Sequence, residues 1–186
     1  MKVGKHAGMH GMLAMLSEFN IHPNDKVSAK ILQQVKHTSD QGKKITDVEL
    51  ASIATKYMGL ESSRKTVRLV DLSVSTGLDT TPNATVTLSV GGSEHTCTAQ
   101  GVGPVDAALG AIQKITDETS RMRIKKYNLD SISGGSNALC EVTVEVEYAS
   151  SHTVSARHVG KDIVTTSVEA VLDAINLVML KSTGGN

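Results

Sequence analysis

Two stretches decide the fold: Val67-Arg-Leu-Val-Asp-Leu-Ser-Val-Ser-Thr-Gly77 and Ile124-Lys-Lys-Tyr-Asn-Leu-Asp-Ser-Ile-Ser-Gly134. The second answers the first 57 positions later (77 to 134). A strand-like alternation follows each copy: Ala84, Val86, Leu88 and Val90 in one, Val142, Val144, Val146 and Tyr148 in the other. Third strands are predicted near 94–100 and 152–158, with turns at Thr81-Pro-Asn83 and Gly91-Gly92. A helical stripe of Val105, Ala108, Leu109, Ile112 and Ile115 closes the first copy. The second closes on Val168, Val171, Leu172, Ile175 and Met179, opening at the capping-box pattern Thr166-Ser-Val-Glu169. Leu109-Gly-Ala-Ile112 answers Leu172-Asp-Ala-Ile175. Seven residues separate Gly160 from Val168, against one between Gly103 and Val105, so an inserted loop is expected over 161–167. A period of this size marks one supersecondary unit used twice. Each unit reads βββα, over 67–119 and 124–181, and two facing halves make a seam of the kind that small ligands favour.

Upstream the period is 3.6. Met12, Leu13, Leu16 and Phe19 share a helical face, and Asn24 can cap a helix carrying Val27, Ile31, Leu32 and Val35. Thr46-Asp-Val-Glu49 is a capping box for a third helix with Leu50, Ile53, Ala54 and Tyr57. Polar Glu61-Ser-Ser-Arg-Lys65 ends this region. The fold class is therefore α+β, an internal duplication of a βββα unit (65–186) preceded by a small helical subdomain (1–62).

Composition narrows function. With one Phe, three Tyr and no Trp, the core must be built from Val, Ile, Leu, Ala and Met. The 19 basic and 19 acidic side chains cancel. Nucleic-acid binding would need a basic stripe with stacking aromatics, and neither is present. No run of about 18 uncharged apolar residues suggests a membrane span. Cys97 and Cys140 stand far apart without CxxC spacing, as in a reduced, cytoplasmic protein.

Gly101-Val-Gly-Pro-Val-Asp106 precedes the first repeat's helix. Pro104 suits a first helical turn, and helix N-termini offer unpaired amides to a carboxylate or phosphate. The competing reading of the glycines is a tight strand-to-helix turn. His6 and His10 stand four apart, a possible pair of metal ligands, but no third of suitable spacing follows. No nucleophile elbow, His-x-His or His-Glu-x-x-His is present, so no catalytic residues, metal site or cofactor are assigned.

These residues resemble a known family. Gly101-Val-Gly-Pro-Val-Asp-Ala-Ala-Leu-Gly-Ala-Ile112 is similar to the GxGPVDAALNAI signature of 2-isopropylmalate synthase regulatory domains. Tyr127, Ser133-Gly-Gly-Ser136 and Glu141-Val-Thr-Val-Glu145 resemble the stretch after it, and Asp162–Asn176 its closing loop and helix. Lys5-His-Ala-Gly-Met-His10 and Ile45-Thr-Asp-Val-Glu-Leu50 resemble the linker joining that domain to the catalytic barrel, although Ala7-Gly8-Met9 replaces the linker's usual Ser-Gly-Arg. Nothing here resembles the family's catalytic TIM barrel.

The resemblance implies a non-catalytic regulatory and dimerisation module that binds a branched-chain amino acid, leucine foremost, at the seam of a homodimer. A TIM-barrel partner domain or subunit would perform the condensation of acetyl-CoA with a 2-oxoacid. Carried over by position, Gly101, Gly103, Val105 and Asp106 form the ligand-facing loop. Tyr127, Leu129 and Ser131 supply wall positions, and Asp162, Ile163 and Thr165 close the pocket. The glycine-loop amides would take the ligand carboxylate, Asp162 or Asp106 its ammonium, and Val105 and Ile163 its aliphatic side chain. The rival readings are an assembly subunit without an effector, and a chain completing an active site in trans through His6 and His10.

Overall fold

The structure, a computed structural model, describes residues 8–60, 65–120, 122–132, 134–135, 138–148 and 152–183. It divides into two compact units, one of residues 1–65 with 177–186, the other of residues 66–176. His6 and the Lys5–Ala7 part of the linker resemblance lie outside the described residues, as do Ser133 and Ser136.

The first unit holds α1 (Met9–Glu18), α2 (Asp25–Asp40) and α3 (Asp47–Tyr57). Met12, Leu16, Phe19, Ile31, Val35, Leu50 and Ala54 are buried, so the 3.6-residue periodicity does find a common core, but Tyr57, read as part of the α3 stripe, is exposed at the end of that helix. The caps are those the sequence signals. The Val27 amide donates to Asn24 Oδ1 at 3.0 Å. Thr46 Oγ1 accepts from the Glu49 amide while the Glu49 carboxylate accepts from the Thr46 amide.

The second unit contains two antiparallel three-stranded sheets. The first is β1 (Val67–Gly77), β2 (Thr80–Val90) and β3 (Ser93–Gln100), followed by α4 (Pro104–Ser120). The second is β4 (Arg123–Ser131), β5 (Cys140–Tyr148) and β6 (His152–Gly160), followed by α5 (Ile163–Thr183), whose residues from Leu177 on are counted with the first unit. The βββα duplication is thus present. Both middle strands bury every second residue: Ala84, Val86 and Leu88 in β2, and Val142, Val144 and Val146 in β5. The helices cover those faces.

Three local expectations are corrected. Thr81-Pro82-Asn83 lies within β2, and the turn is Leu78-Asp79. Pro82 is tolerated there because the β1 register is broken between Ser75 and Gly77, leaving no ladder amide for it to supply. Gly91-Gly92 does turn, with φ of 57° and 94°, values that favour glycine. Next, α5 does not open at Thr166. It starts at Ile163, with the Thr165 amide donating to Asp162 Oδ1 at 2.7 Å as an N-cap. The residues read as an inserted loop are mostly its first turn, because a Thr-x-x-Glu pattern is equally at home inside a helix. Lastly, the copies are not related by one uniform shift. A bulge interrupts β1 between Leu69 and Asp71, and another interrupts β4 between Ile124 and Lys126. Matching the bulges pairs Leu69 with Ile124, a shift of 55 (69 to 124), while their partners Leu88 and Val146 differ by 58 (88 to 146). The two-residue discrepancy with 57 preserves the alternation, since two is the strand period.

Among the described residues one helix segment, Ile163–Leu180, is long and apolar enough to cross a membrane by length and composition alone. Within the fold 56% of it is buried, as in the core helix of a globular domain. Among the described residues one side chain stitches the two copies together. Asn176 of α5 accepts from the Val67 amide at 2.9 Å and donates to the Val67 carbonyl at 2.8 Å, pairing with β1 as a neighbouring strand would.

Candidate functional site

The site begins with the β4 bulge. Ile124 and Tyr127 are three apart and would sit on opposite faces of a regular strand. The extra residue at Lys125 brings both to the helix-facing side, where Ile124 pairs with Val146 and Tyr127 with Val144. That side of β4 is left partly open: Ile124, Tyr127 and Leu129 remain 39%, 38% and 43% exposed. Together with α4, Ile124 and Tyr127 bound a cavity of about 820 Å³. Its size falls in the range of small-molecule sites.

One wall is the start of α4, with Val102, Gly103, Pro104, Val105 and Asp106. Leu109, Ile112, Gln113 and Thr116 continue it along the helix. The opposite wall is Met122, Arg123, Ile124 and Tyr127, with Val146, Val171 and Ile175 at the base. The lining is thus mainly apolar, with Asp106, Gln113, Thr116 and Arg123 as its polar members.

The glycine loop is locked by two hydrogen bonds. The Gly101 amide donates to the Pro82 carbonyl at 3.1 Å, and the Val102 amide to Asp106 Oδ2 at 3.0 Å. A Cβ on Gly101 would run into the backbone of Asp106 and Ala107, whereas one on Gly103 meets nothing within 4 Å. The two glycines therefore differ in kind: close packing dictates the first, and the second borders open space. Gly103, Val105 and Asp106 carry the amides that a helix start leaves without an intrahelical partner. Those donors, the α4 dipole and Arg123 suit an anion such as a carboxylate.

Of the residues carried over from the family pattern, the cavity gathers Gly103, Val105, Asp106 and Tyr127. Gly101 sits behind it, in the packing just described. Leu129 and Ser131 lie farther along β4, on the same side as Tyr127. Asp162 caps α5, Ile163 and Thr165 lie in its first turn, and none of the three lines the cavity. Asp162 is committed to its cap, and the hydrogen bond from the Thr165 amide holds its carboxyl below the usual carboxylate range. The two regions are linked by Tyr127, whose hydroxyl lies 2.7 Å from Ser167 Oγ.

Sequence reasoning missed Arg123, Ile124, Gln113 and Val171 as lining residues. The bulge was the hidden signal, since nothing in Ile124-Lys-Lys-Tyr127 announces an irregular register. Leu109 and Ile112 were legible only as core. His10 is exposed on α1, and no cluster of three His, Cys, Asp or Glu able to hold a metal occurs among the described residues.

A family model described as the LeuA allosteric (dimerisation) domain matches residues 44–179. The chain belongs to that family. Among full-length relatives it is 37% identical over 180 residues to the "Probable 2-isopropylmalate synthase" of Methanosarcina mazei, covering 96% of this chain and 35% of that protein. It is 35% identical to the 2-isopropylmalate synthase of Methanocaldococcus jannaschii, with 96% of this chain and 35% of that protein covered. Against the "Putative (R)-citramalate synthase CimA" of Archaeoglobus fulgidus it is 34% identical, covering 95% of this chain and 36% of that protein. The LeuA-type domain seen here thus spans about a third of the length of the relatives it matches.

Proposed function

We propose that this LeuA-type domain senses a branched-chain amino acid, leucine foremost, and dimerises. In this reading it controls a catalytic barrel performing 2-isopropylmalate synthase-type condensation of acetyl-CoA with a 2-oxoacid in the cytoplasm. The observation that carries the reading is the apolar cavity at the start of α4, with helix-start amides and Arg123 on one side of its chemistry and the Asp106 carboxylate on the other. A zwitterion with an aliphatic side chain needs those three elements. The open apolar row on β4 supports a homodimer in which a second copy covers Ile124, Tyr127 and Leu129. Feedback then requires that the amino acid bind two states of the assembly with different affinity. Leucine and isoleucine differ by a branch shift worth only about 1–2 kcal/mol in an apolar pocket, so isoleucine is the natural competitor.

Titration calorimetry of the chain with leucine, isoleucine, valine and lysine tests this reading. Saturable binding of one branched-chain amino acid, abolished by Gly103→Trp with the fold retained, supports the sensor. Flat titrations from a folded dimer would leave an assembly module without an effector.

A further inference from the structure

The hydrogen bonds around Tyr127 fix which way its hydroxyl points, and this sets the chemistry that it offers a ligand. Ser167 is fully buried in the first turns of α5. Its Oγ lies 2.6 Å from the Ile163 carbonyl oxygen. A carbonyl only accepts, so the single Ser167 hydroxyl proton is given to Ile163, the familiar bond of a helical serine to the turn before it. Tyr127 Oη sits 2.7 Å from that same Ser167 oxygen. With the serine proton already placed, the tyrosine must be the donor. The chain of protons runs Tyr127 to Ser167 to Ile163, and the tyrosine oxygen keeps only lone pairs for anything else.

We infer that Ser167 is a positioning residue that turns Tyr127 into an obligate hydrogen-bond acceptor, so that the cavity selects a ligand bearing a donor, an ammonium, over the same molecule bearing a carbonyl. The inference rests on the amino-acid reading above and deepens it. Tyr127 and Asp106 both line the cavity, and the side-chain oxygens they carry can then only accept. A 2-amino acid satisfies them. The matching 2-oxoacid, identical in carbon skeleton and carboxylate, places lone pair against lone pair. For a module that regulates 2-oxoacid chemistry this distinction matters, because substrate-like oxoacids would otherwise compete for the effector site.

The test compares leucine with 4-methyl-2-oxopentanoate on the full chain and on Ser167→Ala and Tyr127→Phe, with melting temperature as the folding control. The unaltered protein is expected to prefer the amino acid by at least ten- to a hundred-fold, the usual effect of one unmatched polar pair. In Ser167→Ala the tyrosine rotor is free to donate, so the oxoacid gains and the preference narrows by about ten-fold. A merely structural serine would weaken both ligands alike and leave the ratio unchanged, which would overturn the inference.

A ligand-free measurement separates this from the effector reading. With Cζ-labelled tyrosine in mixed light and heavy water, a Tyr127 hydroxyl proton held by Ser167 gives resolved isotope-shifted lines that merge in Ser167→Ala. Merged lines in the unaltered protein refute the hydrogen-bond assignment whatever binds. Resolved lines with flat titrations of both compounds refute the effector reading, and the selectivity falls with it.

Discussion

Asn176→Ala should be among the most costly polar substitutions in the sheet-bearing unit. The side chain holds both main-chain polar groups of Val67, at 2.9 and 2.8 Å, and its amide also donates to the Leu172 carbonyl at 2.9 Å. Val67 has no exposed surface, so water cannot replace the lost partner. Each stranded main-chain group costs about 1–3 kcal/mol, which for two gives a loss of about 2–6 kcal/mol. Native-state hydrogen exchange at the Val86 and Val144 amides, one in each sheet, reads this directly. Both should lose protection together, because the residue joins the first strand of one repeat to the last helix of the other. Asn176→Asp sharpens the test. At neutral pH it keeps the acceptor for the Val67 amide but sets a carboxylate against two carbonyl oxygens, which raises the folded-state pKa of the new carboxyl. Its stability should therefore be highest below about pH 3.9, the ordinary aspartate value, and fall as pH rises through the raised one. A loss below about 0.5 kcal/mol for Asn176→Ala, or an Asp variant insensitive to pH, would refute the stitching argument.

Three further outcomes are expected. Gly101→Ala should destabilise by about 1–3 kcal/mol, since its Cβ meets main chain that cannot rotate away, whereas Gly103→Ala should be nearly neutral to folding; equal melting temperatures for the two would contradict this. Thr46→Ala should cost about 1 kcal/mol in urea denaturation by removing one half of the α3 capping box. Because Asp162 titrates below its ordinary value in the fold, its cap is fully present above about pH 4 and is lost as pH falls through the lowered value. Asp162→Ala should thus cost about 1 kcal/mol at neutral pH and leave a flatter acid limb in a pH series of melting temperatures.

The strands and their faces were readable because a two-residue period with Val at every inward position, as in Val142-Thr-Val-Glu-Val146, admits little else. The α3 and α2 starts were equally plain, since Thr46, Glu49 and Asn24 signal through local bonds alone. Register was harder. The β1 and β4 bulges leave no compositional mark, and a two-residue slip conserves the hydrophobic pattern that a reader follows. The start of α5 was misplaced for a related reason: Thr166 and Glu169 satisfy the capping pattern, but Asp162 stands four residues earlier with a better-placed carboxylate. As to the site, Gly103, Val105, Asp106 and Tyr127 were reachable from motif resemblance. Arg123 and Ile124 were not, because their presence in the cavity depends on tertiary placement of β4 beside α4.

The most direct test of the effector site is a heteronuclear NMR titration of the chain with leucine, following backbone amides and Val, Leu and Ile methyls. Saturable shifts centred on Gly103, Val105, Ile124 and Tyr127, larger than those at Asp162 and Thr165, are the predicted result. Shifts confined to the first turn of α5 or to the helical unit, or none at millimolar leucine, would contradict it.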